Sequence, residues 1–191
     1  MARINTVLIA FLLAAGITAC SGIPLLSIPK LIALQGKLLD ANPEQFLIAI
    51  QADSRLAPPP GSAPVLTVDI KPGAEGDFPR IQRLLDMQAA EWSPSHKGLA
   101  PAVAGRKWLV YSFTPSSAAE LRRIQDTFRA LKGKAKGGSV TLGISQESIA
   151  ARNAGLANTK WESWLQASRA DGFFELWSGK LGDLLARADT R

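Results

Sequence analysis

The chain reads as mainly β: a two-sheet antiparallel sandwich with one or two inserted helices. Three observations predict this. Val65–Lys71 and Ser139–Ser145 alternate apolar and polar residues with period two, while Phe46–Asp53 and Lys107–Phe113 are denser apolar runs of strand length. Proline and glycine clusters punctuate these runs, and no regular strand–helix alternation of the kind a parallel sheet needs is present.

Taken in order, Leu31–Leu39 fits either a strand broken by Gly36 or a helical turn, because its periodicity matches both. Asp40-Ala41-Asn42-Pro43 signals a turn. Phe46–Asp53 then places Phe46, Ile48, Ile50 and Ala52 on one core-facing side. Ala57–Pro64 carries four prolines, which fix φ and remove donors, so a loop must follow. Val65–Lys71 resumes as a strand with Leu66, Val68 and Ile70 inward, and these two strands are expected to pair as a hairpin. Arg80–Trp92 sets Ile81, Leu84, Leu85 and Gln88 at helical spacing and is read as a short amphipathic helix. Lys107–Phe113 has apolar residues on both sides, as expected of a strand covered on both faces.

The best-marked helix runs from Ser117 to Lys132. Ser117 and Glu120 stand three apart, the spacing of a capping box, and Leu121, Ile124, Phe128 and Leu131 form one apolar stripe. Ser139–Ser145 is a strand with Val140, Leu142 and Ile144 inward, and Gln146–Asn153 is read as a helical turn ending at Gly155. Trp161–Arg169 and Phe173–Lys180 flank Ala170-Asp171-Gly172, whose Asp-Gly step tolerates the positive φ of a hairpin. A helix also fits Trp161–Ala167, but the strand reading is favoured. Gly182–Ala188 closes the chain as a short helix. The assembled elements suggest, by analogy of architecture, an immunoglobulin-like sandwich without its disulfide. The alternative is an α+β layer with Arg80–Trp92 and Ser117–Lys132 on one face of a single sheet.

The chain has 22 Lys plus Arg against 16 Asp plus Glu, and a net charge of +6. This excess is moderate: solubility is its ordinary meaning, with acidic headgroups or envelope polymers as a second possibility. Its densest part is Arg122, Arg123, Arg129, Lys132, Lys134 and Lys136, a candidate surface for an anionic lipid or glycan. A solvated helix end complementing its own dipole is the plainer reading. Gly133–Gly138 is not a phosphate-binding loop, because it follows a helix and lacks the required Gly-x-x-x-x-Gly-Lys-Ser/Thr order.

Residues 1–19 combine Arg3 with an apolar run over Thr6–Gly16 that is too short to span a bilayer, which takes about 20 residues. They end at Ile17-Thr18-Ala19-Cys20. This pattern resembles the lipobox of bacterial lipoproteins, in which the cysteine becomes the acylated first residue of the mature chain. The resemblance covers about twenty residues and carries no fold information. It implies a signal peptide at 1–19, lipidation at Cys20 with chains such as palmitate, and membrane attachment through that lipid. Ser21 in place of Asp implies sorting to an outer membrane, facing the periplasm. Cys20 is the chain's single cysteine, so lipidation also accounts for a thiol with no disulfide partner. Residues 20–30, with Pro24 and Pro29, are then a tether whose apolar residues lie against the membrane or the domain, and residues 31–191 form a single β-rich domain.

No catalytic pattern accompanies this address. The single histidine, His96, lies in a proline-containing loop and is read as an ordinary surface residue, and Gly-x-Ser-x-Gly does not occur. No His, Cys, Asp and Glu set has metal-ligand spacing, so neither a metal nor another cofactor is expected. The tryptophans Trp92, Trp108, Trp161, Trp164 and Trp177 suit a sugar or peptide surface, yet core and rim packing is their commoner use. The resulting expectation is a non-catalytic, membrane-anchored binding or scaffold module with a protein partner in the envelope, such as an accessory subunit of a transport, secretion or outer-membrane assembly. A direct binder of anionic lipid or glycan and an envelope-polymer hydrolase are the alternatives. Nucleic acid is not expected as a partner.

Overall fold

A computed structural model of the chain describes residues 40–73, 78–131, 138–150 and 154–188. The strands are β1 (Leu47–Asp53), β2 (Val65–Pro72), β3 (Ile81–Ala90), β4 (Arg106–Phe113), β5 (Gly138–Ser145), β6 (Lys160–Gln166) and β7 (Phe174–Lys180). Two helices accompany them, α1 (Pro115–Leu131) and α2 (Leu181–Ala188), with single 3-10 turns at Pro43–Gln45 and Ala154–Leu156. No described helix is long and apolar enough to cross a membrane.

The protein is mainly β, but the expected two-sheet, immunoglobulin-like sandwich does not form. All seven strands belong to one antiparallel sheet in the order β5-β2-β3-β4-β1-β6-β7. The reason lies in β3. Its first part, Ile81–Asp86, pairs with β2, and Met87–Ala90 pairs with β4, so one strand joins what would otherwise be two sheets. The sheet curls about this strand. Ile48 and Ile50 of β1, Leu66, Val68 and Ile70 of β2, Leu85 and Met87 of β3, and Trp161 and Leu165 of β6 meet in one buried cluster. Leu121 and Ile124 of α1 and Leu181 and Leu184 of α2 join the same cluster. Each fully buried side chain of this kind contributes about 1.5–3 kcal/mol.

Arg80–Trp92 is therefore a strand where a helix was expected. Residues directly opposite across a ladder share a face, and Arg83 stands opposite the inward Val68. Ile81, Arg83, Leu85 and Met87 thus point one way. Arg83 escapes burial by reaching α1, where its Nε donates to Glu120 at 2.9 Å. Leu84 points the other way and is 67% exposed. A charged residue on the inner face and an apolar one on the outer face together imitate helical spacing. The α+β alternative is right in its single sheet and in the helix now seen as α1, but its second covering helix is this strand.

The expected β1–β2 hairpin is also absent. β1 is buried almost throughout and takes the centre between β4 and β6, whereas β2 alternates buried and half-exposed residues and sits near an edge. The proline-rich loop carries the chain across, anchored by the buried Leu56. The β6–β7 hairpin forms as expected, with a register shift that leaves Leu176 as the extra residue of a bulge. Helix α1 starts earlier than Ser117. Thr114 Oγ1 accepts the Ser117 N–H at 3.2 Å, with Pro115 in the first helical position, while Glu120 is occupied by Arg83 and Arg123. Gln146–Ala150 forms a turn, with Ile149 N–H donating to Gln146 O at 3.1 Å and the Trp161 indole N–H donating to the Gln146 side chain at 2.9 Å, while residues 151–153 of the expected helical turn lie outside the described residues.

Both faces of β4 are covered, as its composition predicts, and so are both faces of β1, for which only one core-facing side was expected. On the side away from the main core, Ala49, Val110 and Phe173 are buried, with Leu47, Ala90, Leu99, Trp108 and Trp164 packed around them. The β3–β4 loop, residues 91–105, and the β6–β7 turn provide this cover. Leu31–Leu39, the tether and the leader lie outside the described residues.

Candidate functional site

The β3–β4 loop lies against the β6–β7 turn at two glycines. Phe173 N–H donates to Lys97 O at 2.7 Å, and Lys97 Nζ donates to Ala170 O at 2.5 Å. Such close approach needs bare backbone on both sides. A Cβ at Gly98 would stand 2.5 Å from Phe173 O, and one at Gly172 would stand 2.6 Å from Lys97 O; both glycines also have positive φ. A third segment completes the wall. The Pro43–Gln45 turn, capped where Asn42 Oδ1 accepts Glu44 N–H, docks on the end of β6: Gln166 Nε2 donates to Gln45 O and Arg169 N–H to Gln45 Oε1.

Between these segments is a cleft of about 370 Å³ lined by Glu44, Leu47, Ser95, His96, Lys97, Gln166 and Arg169. This volume falls at the lower end of the range for small-molecule sites, roughly 300–1,000 Å³. Glu44 is paired with Arg122 at 2.7 Å. Arg169 is exposed at the rim of the cleft, and its side chain makes no hydrogen bond or ion pair among the described residues.

His96 is half-buried, and its ring meets Phe173 edge-on at 5.6 Å. Its Nδ1 accepts the Ser93 N–H at 3.3 Å, which leaves the proton of the neutral ring on Nε2. Burial pushes its pKa down, and the positive charge of Arg169 pushes it the same way. At neutral pH it is therefore an uncharged donor beside two cations. Sequence reasoning placed His96 in an exposed loop and missed the residues that the fold gathers round it. The only local signals were Gly98, beside Lys97 of the cleft wall, and Gly172, beside Phe173, whose ring meets His96.

The basic face proposed from the sequence has a different character. Arg122 pairs with Glu44, Arg123 with Glu120 at 3.0 Å, and Arg129 with Asp126. All three lie exposed on α1, and each positive charge has a carboxylate beside it. Exposed pairs of this kind contribute about 0.2–1 kcal/mol. Lys132, Lys134, Lys136 and the lipidation candidate Cys20 lie outside the described residues.

A second polar cluster ties three strands together. The Arg106 guanidinium of β4 bonds Glu162 of β6, and it also donates to Gln51 O of the intervening β1 and to Lys160 O. Glu162 accepts from Lys160 Nζ at 2.5 Å as well. Burial works to raise the Glu162 carboxyl pKa, but the bonds from Lys160 and Arg106 outweigh it and hold the group below its ordinary value. Both terminal nitrogens of Arg106 and the Glu162 carboxylate are engaged within the cluster, only the buried Arg106 Nε having no hydrogen-bond partner, and the arrangement serves as a clamp.

The tryptophans divide between packing roles and exposure. Trp161 and Trp177 are buried in the main core, while Trp108 and Trp164 meet edge-on at 6.3 Å on the opposite face. Trp92 is 40% exposed. Among the described residues no cluster of three or more His, Cys, Asp and Glu has a geometry that could hold a metal. Comparisons with protein-family models, curated proteins and solved structures find no match to this chain.

Proposed function

We propose that the protein is a lipid-anchored, non-catalytic binding or scaffold module of a bacterial cell envelope. In this reading Cys20 carries the lipid, the outer membrane holds it, and the domain faces the periplasm as an accessory subunit of a transport, secretion or outer-membrane assembly. The observation that carries the reading is Ile17-Thr18-Ala19-Cys20 closing an apolar leader that contains one charge, Arg3. Each buried acyl methylene contributes about 0.8 kcal/mol, so two or more chains on one residue suffice for stable attachment. A binding role rather than hydrolysis is supported by the surroundings of His96. Its Nδ1 is engaged by a backbone N–H, where the general base of a triad would have a carboxylate.

The test compares the wild type with Cys20→Ala in cells supplied with labelled fatty acid, followed by crosslinking, detergent extraction and purification. The wild type is expected to take up label, fractionate with membrane and bring down envelope neighbours, and Cys20→Ala to lose the label and the membrane fraction. A Cys20→Ala protein that keeps both overturns the anchoring. Repeated recovery of the uncrosslinked domain alone overturns the scaffold role.

A further inference from the structure

The cleft at His96 has a charge inventory suited to a particular kind of ligand. Its ionic lining comprises Lys97, Arg169 and Glu44, the last already paired with Arg122, so the cleft is net positive while His96 is neutral. Lys97 is steadied by Ala170 O, and Glu44 is held from outside by Arg122, whereas Arg169 keeps its full donor set. A guanidinium offers paired N–H groups in the plane of a carboxylate, and such charge-assisted bonds are about twice as strong as neutral ones. One guanidinium fork matches one carboxylate, and Lys97 is already engaged by Ala170 O, so a single carboxylate fits the donors that remain. Leu47 supplies the one apolar surface of the lining, suited to a carbon skeleton next to the charged group.

We propose that this cleft binds the carboxylate of a small ligand, with Arg169 pairing to the carboxylate and Lys97 and His96 lining the same space as further donors. The cleft accommodates a ligand of the size of a dipeptide or a single acidic sugar, and both present the same monoanionic group. The proposal does not depend on lipidation, so the outcome for Cys20 has no bearing on it.

His96 is the chain's single histidine and reports on the cleft without ambiguity. The experiment follows its ring resonances by NMR in the full-length protein in detergent micelles, labelled at histidine, at constant ionic strength. The probes are N-acetyl-alanyl-alanine and its C-terminal amide, glucuronic acid and glucose, and inorganic phosphate. The expected result is a saturable shift with one or both carboxylates, absent with the amide and with glucose, accompanied by a rise in the ring pKa as the anion offsets the field of Arg169. The acid that saturates at the lower concentration identifies a peptide or a sugar source. Arg169→Gln is expected to weaken that binding by about tenfold to a hundredfold. Arg169→Lys, which keeps the charge and loses the fork, should fall between, and Arg123→Gln on α1 should match the wild type.

No saturable shift with either carboxylate overturns the proposal. Saturation by phosphate in preference to both carboxylates overturns the carboxylate assignment. Binding unchanged in both folded Arg169 variants, judged by their wild-type spectra elsewhere, removes Arg169 from the site and the proposal with it.

Discussion

Gly98 and Gly172 decide whether the cleft exists, because each lets one backbone reach another without an intervening Cβ. Gly61 has a similar positive φ, yet a Cβ there would meet nothing within 4 Å. The two kinds of position separate conformational cost from steric cost. Gly61→Ala carries only the left-handed backbone term, about 1 kcal/mol. Gly98→Ala carries that term and also drives a methyl into Phe173 O, so a loss of at least about 2–3 kcal/mol is expected in urea unfolding. The same substitution should also move the His96 ring resonances, since the Ser93–Leu99 turn would lift from Phe173. The sequence marked Gly172 only as a hairpin residue and the segment around His96 only as a loop, because nothing local specifies that the two turns face each other.

At the scale of the element, β3 is the part of the chain where pattern and structure part company. Leu84 and Leu85 are adjacent in a spacing that a helix would place on one buried face, but the strand sends them to opposite sides. Leu85 is fully buried. Leu85→Ala is therefore expected to cost about 2–5 kcal/mol, and Leu84→Thr to fall within about 0.5 kcal/mol of the wild type, both read from chemical denaturation. Equal large losses would restore the helix. The beginning of α1 follows the same logic on a smaller scale. Ser117 and Glu120 satisfy the spacing of a capping box, but Thr114-Pro115 satisfies the N-terminus one turn earlier. Glu120 is then drawn away by Arg83 from a strand 37 residues distant.

For the whole molecule, the Arg106–Glu162 clamp spans β4, β1 and β6 and holds the centre of the sheet. The two side chains are 13% and 14% exposed, so this pair is less screened than those on α1. Glu162→Gln is expected to destabilise the domain by about 2 kcal/mol at neutral pH, measured by urea unfolding. Its effect on pH dependence has a definite sign. The folded carboxyl titrates below its unfolded value, so its stabilisation is complete above the ordinary glutamate pKa and is lost as pH falls through the lower, folded one. The wild type should therefore lose stability more steeply than Glu162→Gln as pH drops below about 4.5, and the two curves should converge in acid. Parallel curves would show that the clamp contributes nothing through its charge.

The sequence by itself determined most of the strands, the position of the long helix, the β6–β7 hairpin and the double coverage of β4. These follow from residue period, proline and glycine punctuation and local capping, which act over a few neighbours. It also carries the whole argument for Cys20. Only the tertiary structure decided that one sheet curls where two were expected, that Arg80–Trp92 is a strand, and that His96 shares a cleft with Arg169. Curling depends on which strand each half of β3 pairs with, and Arg83 is tolerated on the inner face only because Glu120 waits across the core boundary. The cleft depends on bare backbone at Gly98 and Gly172 meeting across more than seventy residues. Period and propensity are local quantities, whereas pairing partners and charge compensation are set when distant segments come into contact.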